Sequence, residues 1–279
     1  MLKTNLNFHQ TFKPERQYIS SILTEVKDCD GFDVQNISNK TGIPTGKSSG
    51  KVEPSICYAE YMGLIKKEKY NGKYHISYTM LGECIKDEDA GILEKLSLLA
   101  MHAMLVRQYS GAELWTYIFQ HIFPKYRNQL TVNQFEKEID LQFGQGVKIA
   151  PFKGCYQEFF SQLNLLKFDN DQVTLNASKI DPDFVYLYAY ILFTYWDEWV
   201  KNESEEVTLM ASTTEITSDH LSKIGFRHPF GWDEKDEYRV LELMAMKKLI
   251  VINRQMVPFT IRRISDFDFL LEMLYSELC

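Results

Sequence analysis

At 279 residues, with 45% apolar and 25% charged side chains and a net charge of −7, the composition is that of a globular protein with room for two or three small cores. It excludes a disordered chain, and the acidic sum argues against a protein that coats nucleic acid over its whole surface. Cys29, Cys57, Cys84, Cys155 and Cys279 are odd in number and widely spaced. Neither a disulfide framework nor a zinc site follows from such spacing, so free thiols in a reducing cytoplasm, with no metal or cofactor, are the expectation. Met1 to Asn5 lacks an apolar leader core. The long apolar run from Phe184 to Val200 contains Tyr186, Tyr188, Tyr190, Tyr195, Asp197 and Glu198, which predicts a buried helix and no membrane span.

In chain order, Tyr18, Ile19, Ile22, Leu23 and Val26 share one face of a helix beginning at Pro14 or Glu15 and ending near Lys27. Asp33 is an N-cap for a short second helix carrying Val34, Ile37 and Thr41. Gly42 to Gly46 is a turn, because Pro44 biases Ile43 away from helix. A third helix is expected from about Ser49 to Met62, ended by Gly63. Two strands then flank Tyr70-Asn71-Gly72, a strong hairpin signal, and Thr79 to Gly82 returns to helix. That order, from Asp33 to Gly82, is the order of a winged helix-turn-helix.

The pattern echoes downstream. Thr131 to Phe135 opens a helix as Asp33 to Ile37 does, Ala150-Pro151 precedes a helix as Glu53-Pro54 does, and Leu165 to Leu175 reads strand, turn, strand. A weaker third copy comprises a helix from Asp236 to Lys247, a strand over Leu249 to Ile252, and a return from Val257 to Arg262 in which Pro258 suits an edge. Linking helices cover Ile92 to Gln108, Ala112 to Phe123 and Asp183 to Lys201, and the polar stretch from Lys201 to Ser218 reads as a linker. The expected fold is mainly α with small β-hairpins: tandem winged helix-turn-helix units joined by helices, in domains 1–90, 91–202 and 203–279.

The segment Thr41 to Ser48, TGIPTGKS, resembles a phosphate-binding loop but has Thr41 where the first glycine belongs and no strand before it. As a helix-turn-helix it makes better sense. Between Asp33 and Lys86 eight lysines stand against five acids, +3 in a chain of −7, so the remainder carries −10. Lys40, Thr45, Lys47, Ser48, Ser49 and Lys51 offer donors for phosphates and base edges, and Lys69, Tyr70, Asn71 and Lys73 do so from the hairpin. The second unit has an acidic turn at Asp169-Asn170-Asp171 that repels phosphate, which favours a structural or dimerising role. The third has Lys247, Lys248, Arg254, Arg262 and Arg263. Phe8 and Phe12 read as core anchors with His9 meeting a polar neighbour, and His102 and His121 lack ligand-spaced partners. Asp197 and Glu198, adjacent on a helix, point to different faces. No nucleophile with a base and an orienting group is visible, so no enzyme is expected.

Phe8 to Phe12, FHQTF, together with Thr41 to Lys47, resembles a bacterial domain-of-unknown-function family whose members accompany DNA phosphorothioation and phage-defence genes. The resemblance covers about the first 90 residues. It implies a defence or DNA-modification context, and no catalytic residues carry over. The expected function is non-enzymatic binding of double-stranded DNA as an accessory or regulator of such a system. The alternative is a scaffold that holds partner proteins, with homo-oligomerisation open.

Overall fold

A computed structural model describes residues 6–26, 30–46, 49–203, 214–255 and 257–278. Most of the expected linker lies outside them, as do Cys29, Lys47, Ser48 and Cys279. The first unit runs α1 (Arg16–Glu25), β1 (Asp30–Phe32), α2 (Val34–Thr41), α3 (Val52–Tyr61), β2 (Ile65–Tyr70) and β3 (Lys73–Tyr78). Ile19, Ile22 and Leu23 are the buried stripe of α1. Asp33 caps α2 reciprocally: its carboxylate accepts from the Asn36 N–H at 2.7 Å, and Asn36 Oδ1 accepts from the Asp33 N–H at 3.2 Å. The hairpin closes on Asn71 and Gly72, at φ 52° and 78°, the left-handed pair that a tight two-residue turn requires.

Helix α3 starts at Val52, later than its composition predicts. The Gly50 N–H donates to Gly46 O at 3.1 Å and the Lys51 N–H to Pro44 O at 2.9 Å, which ties Gly50 and Lys51 back to the loop and outside the helix. The sheet order is β1-β3-β2, antiparallel throughout. Three-residue β1 was not expected, because so short a strand carries no readable alternation.

The same order recurs twice. The second unit comprises α6 (Glu113–Tyr117) continued by a π turn and α7 (Phe123–Lys125), then β4 (Gln129–Thr131), α8 (Val132–Phe143), α9 (Ala150–Gly154) with its own π turn, β5 (Leu166–Phe168) and β6 (Gln172–Leu175). The third comprises α10 (Val185–Asn202), β7 (Glu215–Thr217), α11 (Ser218–Ile224), α12 (Glu234–Met246), β8 (Ile250–Asn253) and β9 (Thr260–Arg263). Their sheets are ordered β4-β6-β5 and β7-β9-β8, so in each unit the first strand pairs with the last. Thr131 with Gln134 and Thr217 with His220 repeat the Asp33 capping box. A left-handed residue precedes the second strand of each unit in chain order: Gly63, Asn164 and Lys248. Pro258 lies before β9, outside the strand.

Helices α4 (Met80–Asp89), α5 (Lys95–Val106) and α13 (Phe267–Glu272) join the units. From Leu96 to Val106 every residue of α5 is buried, the mark of a helix surrounded by others. Tyr195 of α10 donates to its Ala103 carbonyl at 2.5 Å. Tyrosines and tryptophans of α10 are buried in the same core, and no helix among the described residues is long and apolar enough to cross a membrane. The fully buried Trp115 ring joins the units, lying 5.5 Å from Phe8, 6.0 Å from Tyr58 and 5.6 Å from Phe152 between ring centres. Trp115→Ala is expected to lower stability by about 3–5 kcal/mol, read as a shifted urea midpoint. An unchanged midpoint would contradict this role.

Candidate nucleic-acid interface

The hairpin presents two faces. Tyr74 and Ile76 of β3 are buried, while Lys66, Glu68 and Tyr70 of β2 and Lys73 and Ser77 of β3 are exposed. Register pairs Lys66 with Ser77, Glu68 with His75, and Tyr70 with Lys73. Alternation therefore sends Lys66, Tyr70 and Lys73 outward together with Asn71 at the tip. Tyr70 donates its hydroxyl to Glu68 at 3.0 Å, and His75 contacts Asp30. Lys66 was missed in the sequence, though strand alternation through β2 was the signal that marks it.

The lysines on the opposite side of β2 turn toward α3. Lys69 Nζ lies 2.5 Å from Glu53 and 3.0 Å from the Tyr74 hydroxyl, and Lys67 Nζ 2.8 Å from Glu60. Hydrogen bonds from Lys69 and then Tyr74 hold the Glu53 carboxyl below the usual carboxylate range. Lys51, at the N-cap of α3, is likewise engaged: its Nζ is 2.5 Å from Glu15, 5.5 Å from the centre of the Phe12 ring and 5.4 Å from that of Tyr18. The Glu15 hydrogen bond raises its pKa.

In the α2–α3 loop, Lys40 is exposed in the last turn of α2 with its Nζ 5.6 Å over Phe32, Thr45 Oγ1 donates to Gln35 at 3.4 Å, and Ser49 is exposed. Among the described residues Lys40, Lys66 and Lys73 are cations of this unit without a carboxylate partner, whereas Lys51, Lys67 and Lys69 are neutralised. Thr41, the residue before the glycine loop, ends a helix and not a strand, and Gly42 is the left-handed cap of that helix at φ 73°.

Several other ionisable groups are tied into the fold. His102 is fully buried, donating from Nε2 to Pro229 O at 2.9 Å and accepting the Tyr156 hydroxyl at Nδ1 at 3.0 Å, which fixes a neutral tautomer. His9 Nδ1 accepts the Thr11 N–H at 3.1 Å, so Phe8 and His9 are both buried as the N-terminal anchor. Asp197 pairs with Arg263 at 2.6 Å and Glu198 with Arg107 at 3.2 Å, on different faces of α10. The third unit's Arg263 is thus committed, its guanidinium 4.1 Å from the Trp196 ring centre, and Lys247 and Arg254 pair with Glu277 and Glu242. Cys57, Cys84 and Cys155 are free thiols, and among the described residues no acid, histidine and cysteine cluster is arranged to hold a metal.

No family model matches the chain and no curated protein matches it in sequence. Two crystal structures share its fold. A magnesium ion-bound SspB structure aligns with a TM-score of 0.69 and 16% identity over 97% of this chain and 87% of its own. A further SspB structure aligns at 0.67 and 15% over the same shares. At such identity the likeness is one of fold: three helix-and-hairpin units and their connecting helices form an architecture that this chain holds in common with SspB over nearly its whole length.

Proposed function

We propose that the three repeated units are winged helix-turn-helix modules and that the first binds double-stranded DNA, without catalysis, as an accessory or regulator of a DNA-modification or phage-defence system. The single observation carrying the reading is the outward display of Lys66, Tyr70, Asn71 and Lys73 on a hairpin beside the exposed Lys40. An exposed basic ribbon beside a helix pair matches the phosphate-contacting surface of such modules. Ser49, exposed before α3, belongs to the same surface in this reading, and the neighbouring Lys47 and Ser48 lie outside the described residues. Lys51 and Lys69 then act from behind it, bracing α3 through Glu15 and Glu53. The phosphorothioation-linked context rests on the N-terminal motif resemblance and on the fold shared with SspB.

Fluorescence anisotropy of a labelled duplex tests the proposal. Wild-type binding is expected to weaken steeply with salt, and the double variant Lys66→Ala/Lys73→Ala to bind about tenfold or more weakly with a salt slope reduced by roughly two. Lys69→Ala is expected to change the slope less. An absence of binding at low salt would overturn the proposal in favour of a protein-holding scaffold, a reading that the neutralised Lys51, Lys67 and Lys69 and the net charge of −7 would then support.

A further inference from the structure

Cys57, Glu60 and Lys67 bring a thiol, a carboxylate and an amine together between α3 and β2. Lys67 Nζ donates to Cys57 Sγ at 2.9 Å and lies 2.8 Å from a Glu60 oxygen. The Lys67 side chain is 21% exposed and Cys57 is half-buried, so the cluster is shielded yet open to a small solute. The fold does not require it. Identical hydrogen bonds end α3 and α12: Met62 to Tyr58, Gly63 to Glu60 and Leu64 to Ala59 in one, Lys247 to Leu243, Lys248 to Ala245 and Leu249 to Met244 in the other. Counting from there places Glu242, Ala245 and Ile252 where the first unit has Cys57, Glu60 and Lys67. The third unit thus packs β8 on α12 without a thiol or an amine at these positions.

The other described thiols have different surroundings. Burial, with the Glu88 and Asp87 charges, pushes Cys84 up to about 11, and Cys155 is sealed in the core. Cys57 is the one of the three with a cation recorded at its sulfur. Burial raises its pKa and the Lys67 charge pulls it back. In Lys67 burial acts to lower the pKa, and the Cys57 and Glu60 charges outweigh it and raise it. Conversion of the thiolate to a neutral sulfenic acid removes the first of those charges, which brings Lys67 closer to a free amine beside an electrophilic sulfur.

We propose that hydrogen peroxide closes a reversible covalent sulfenamide between Cys57 and Lys67, fastening the hairpin to α3. The Cys57 thiolate attacks a peroxide oxygen, the O–O bond breaks, and sulfenic acid and hydroxide form. Glu60 relays a proton from the Lys67 ammonium to that hydroxide, which leaves as water. The amine then attacks the sulfenic sulfur: the N–S bond forms, the S–O bond breaks, and the hydroxyl leaves as a second water with an amine proton. The sulfur is oxidised and the peroxide reduced, with no further reagent. Peptide mapping of the peroxide-treated full chain is the test. After alkylation and trypsin, the peptide ending at Lys66 is expected joined to the one beginning at Lys67, lighter than their sum by the two hydrogens lost, and released by dithiothreitol through attack on the sulfur. Lys67→Arg keeps a cation beside the sulfur but offers no amine, so Cys57 should stop at sulfenic or sulfinic acid, and Cys57→Ser should show neither product. An unmodified Cys57 in the wild type, its oxidation to sulfinic acid or a disulfide without the joined peptide, or joined peptides that persist in Lys67→Arg would each overturn the proposal. The bridge goes beyond the DNA-binding reading and is measured without DNA, so the two fail separately.

Discussion

Acidification from pH 6.5 to pH 4 is expected to unfold this protein cooperatively, because its core holds histidines that folding keeps neutral. Burial lowers the pKa of His102 and of His228 from 6.5 to about 4, and that of His9 likewise to about 4. The unfolded chain binds these protons from pH 6.5 downward and the folded chain does not until about pH 4. The stability they contribute is therefore fully present above pH 6.5 and lost as pH falls through the folded values. His102 and His228 amount to about 3 kcal/mol each, which together approaches the whole stability of many domains, and His9 adds in the same direction. Glu237 acts oppositely. Burial, offset by Arg227 and reinforced by Glu234, raises its pKa from 4.5 to about 7, so its contribution is present at low pH and lost as pH rises through 7. Urea midpoints should climb from pH 4 to 6.5 with a net positive slope and flatten near neutrality. His102→Gln, which keeps a donor for Pro229 and an acceptor for Tyr156, should roughly halve that slope. A midpoint independent of pH across this range would show that the histidines are not held neutral.

Gly82→Ala is expected to destabilise the first unit by about 3 kcal/mol or more and to abolish any DNA affinity that depends on its hairpin. Gly82 lies in the first turn of α4, where a Cβ would come 1.8 Å from Leu64 O and 2.7 Å from Leu64 C. That carbonyl cannot swing aside, because it accepts the Thr79 N–H at 3.1 Å, and Thr79 Oγ1 in turn accepts the Gly82 N–H at 2.8 Å. The extra methyl group must push α4 away from the base of β2, which carries Lys66. Gly72→Ala is the control: nothing lies within 4 Å of its added Cβ, so only the left-handed φ of 78° is penalised, by about 1 kcal/mol. Equal midpoints for the two variants would contradict the close approach of α4 to Leu64.

The chain's local grammar was legible. Asp33 and Thr131 cap helices, Gly63 ends one, and Asn71-Gly72 closes a hairpin, because each acts through residues within four positions of itself. Helical spacing likewise marked Ile19, Ile22 and Leu23 as an inward stripe. The short strands β1, β4 and β7 were not legible, since three residues carry no period and owe their conformation to partners more than 40 positions away. The candidate DNA surface divides the same way. Asn71 and Lys73 are exposed by the hairpin's own turn and alternation, whereas Lys51 and Lys69 are neutralised by Glu15 and Glu53, which only packing brings near.

The order of helices and hairpin in the first unit and its excess of lysine were thus properties of the sequence alone, set by caps, turns and periodicity. Which lysines face outward unpaired, that His102 is sealed beneath Pro229 and Tyr156, and that Glu237 is buried against Arg227 were decided by tertiary structure. The reason is physical: ion pairing and desolvation depend on distance in space, and distant segments meet only when the units pack around α5.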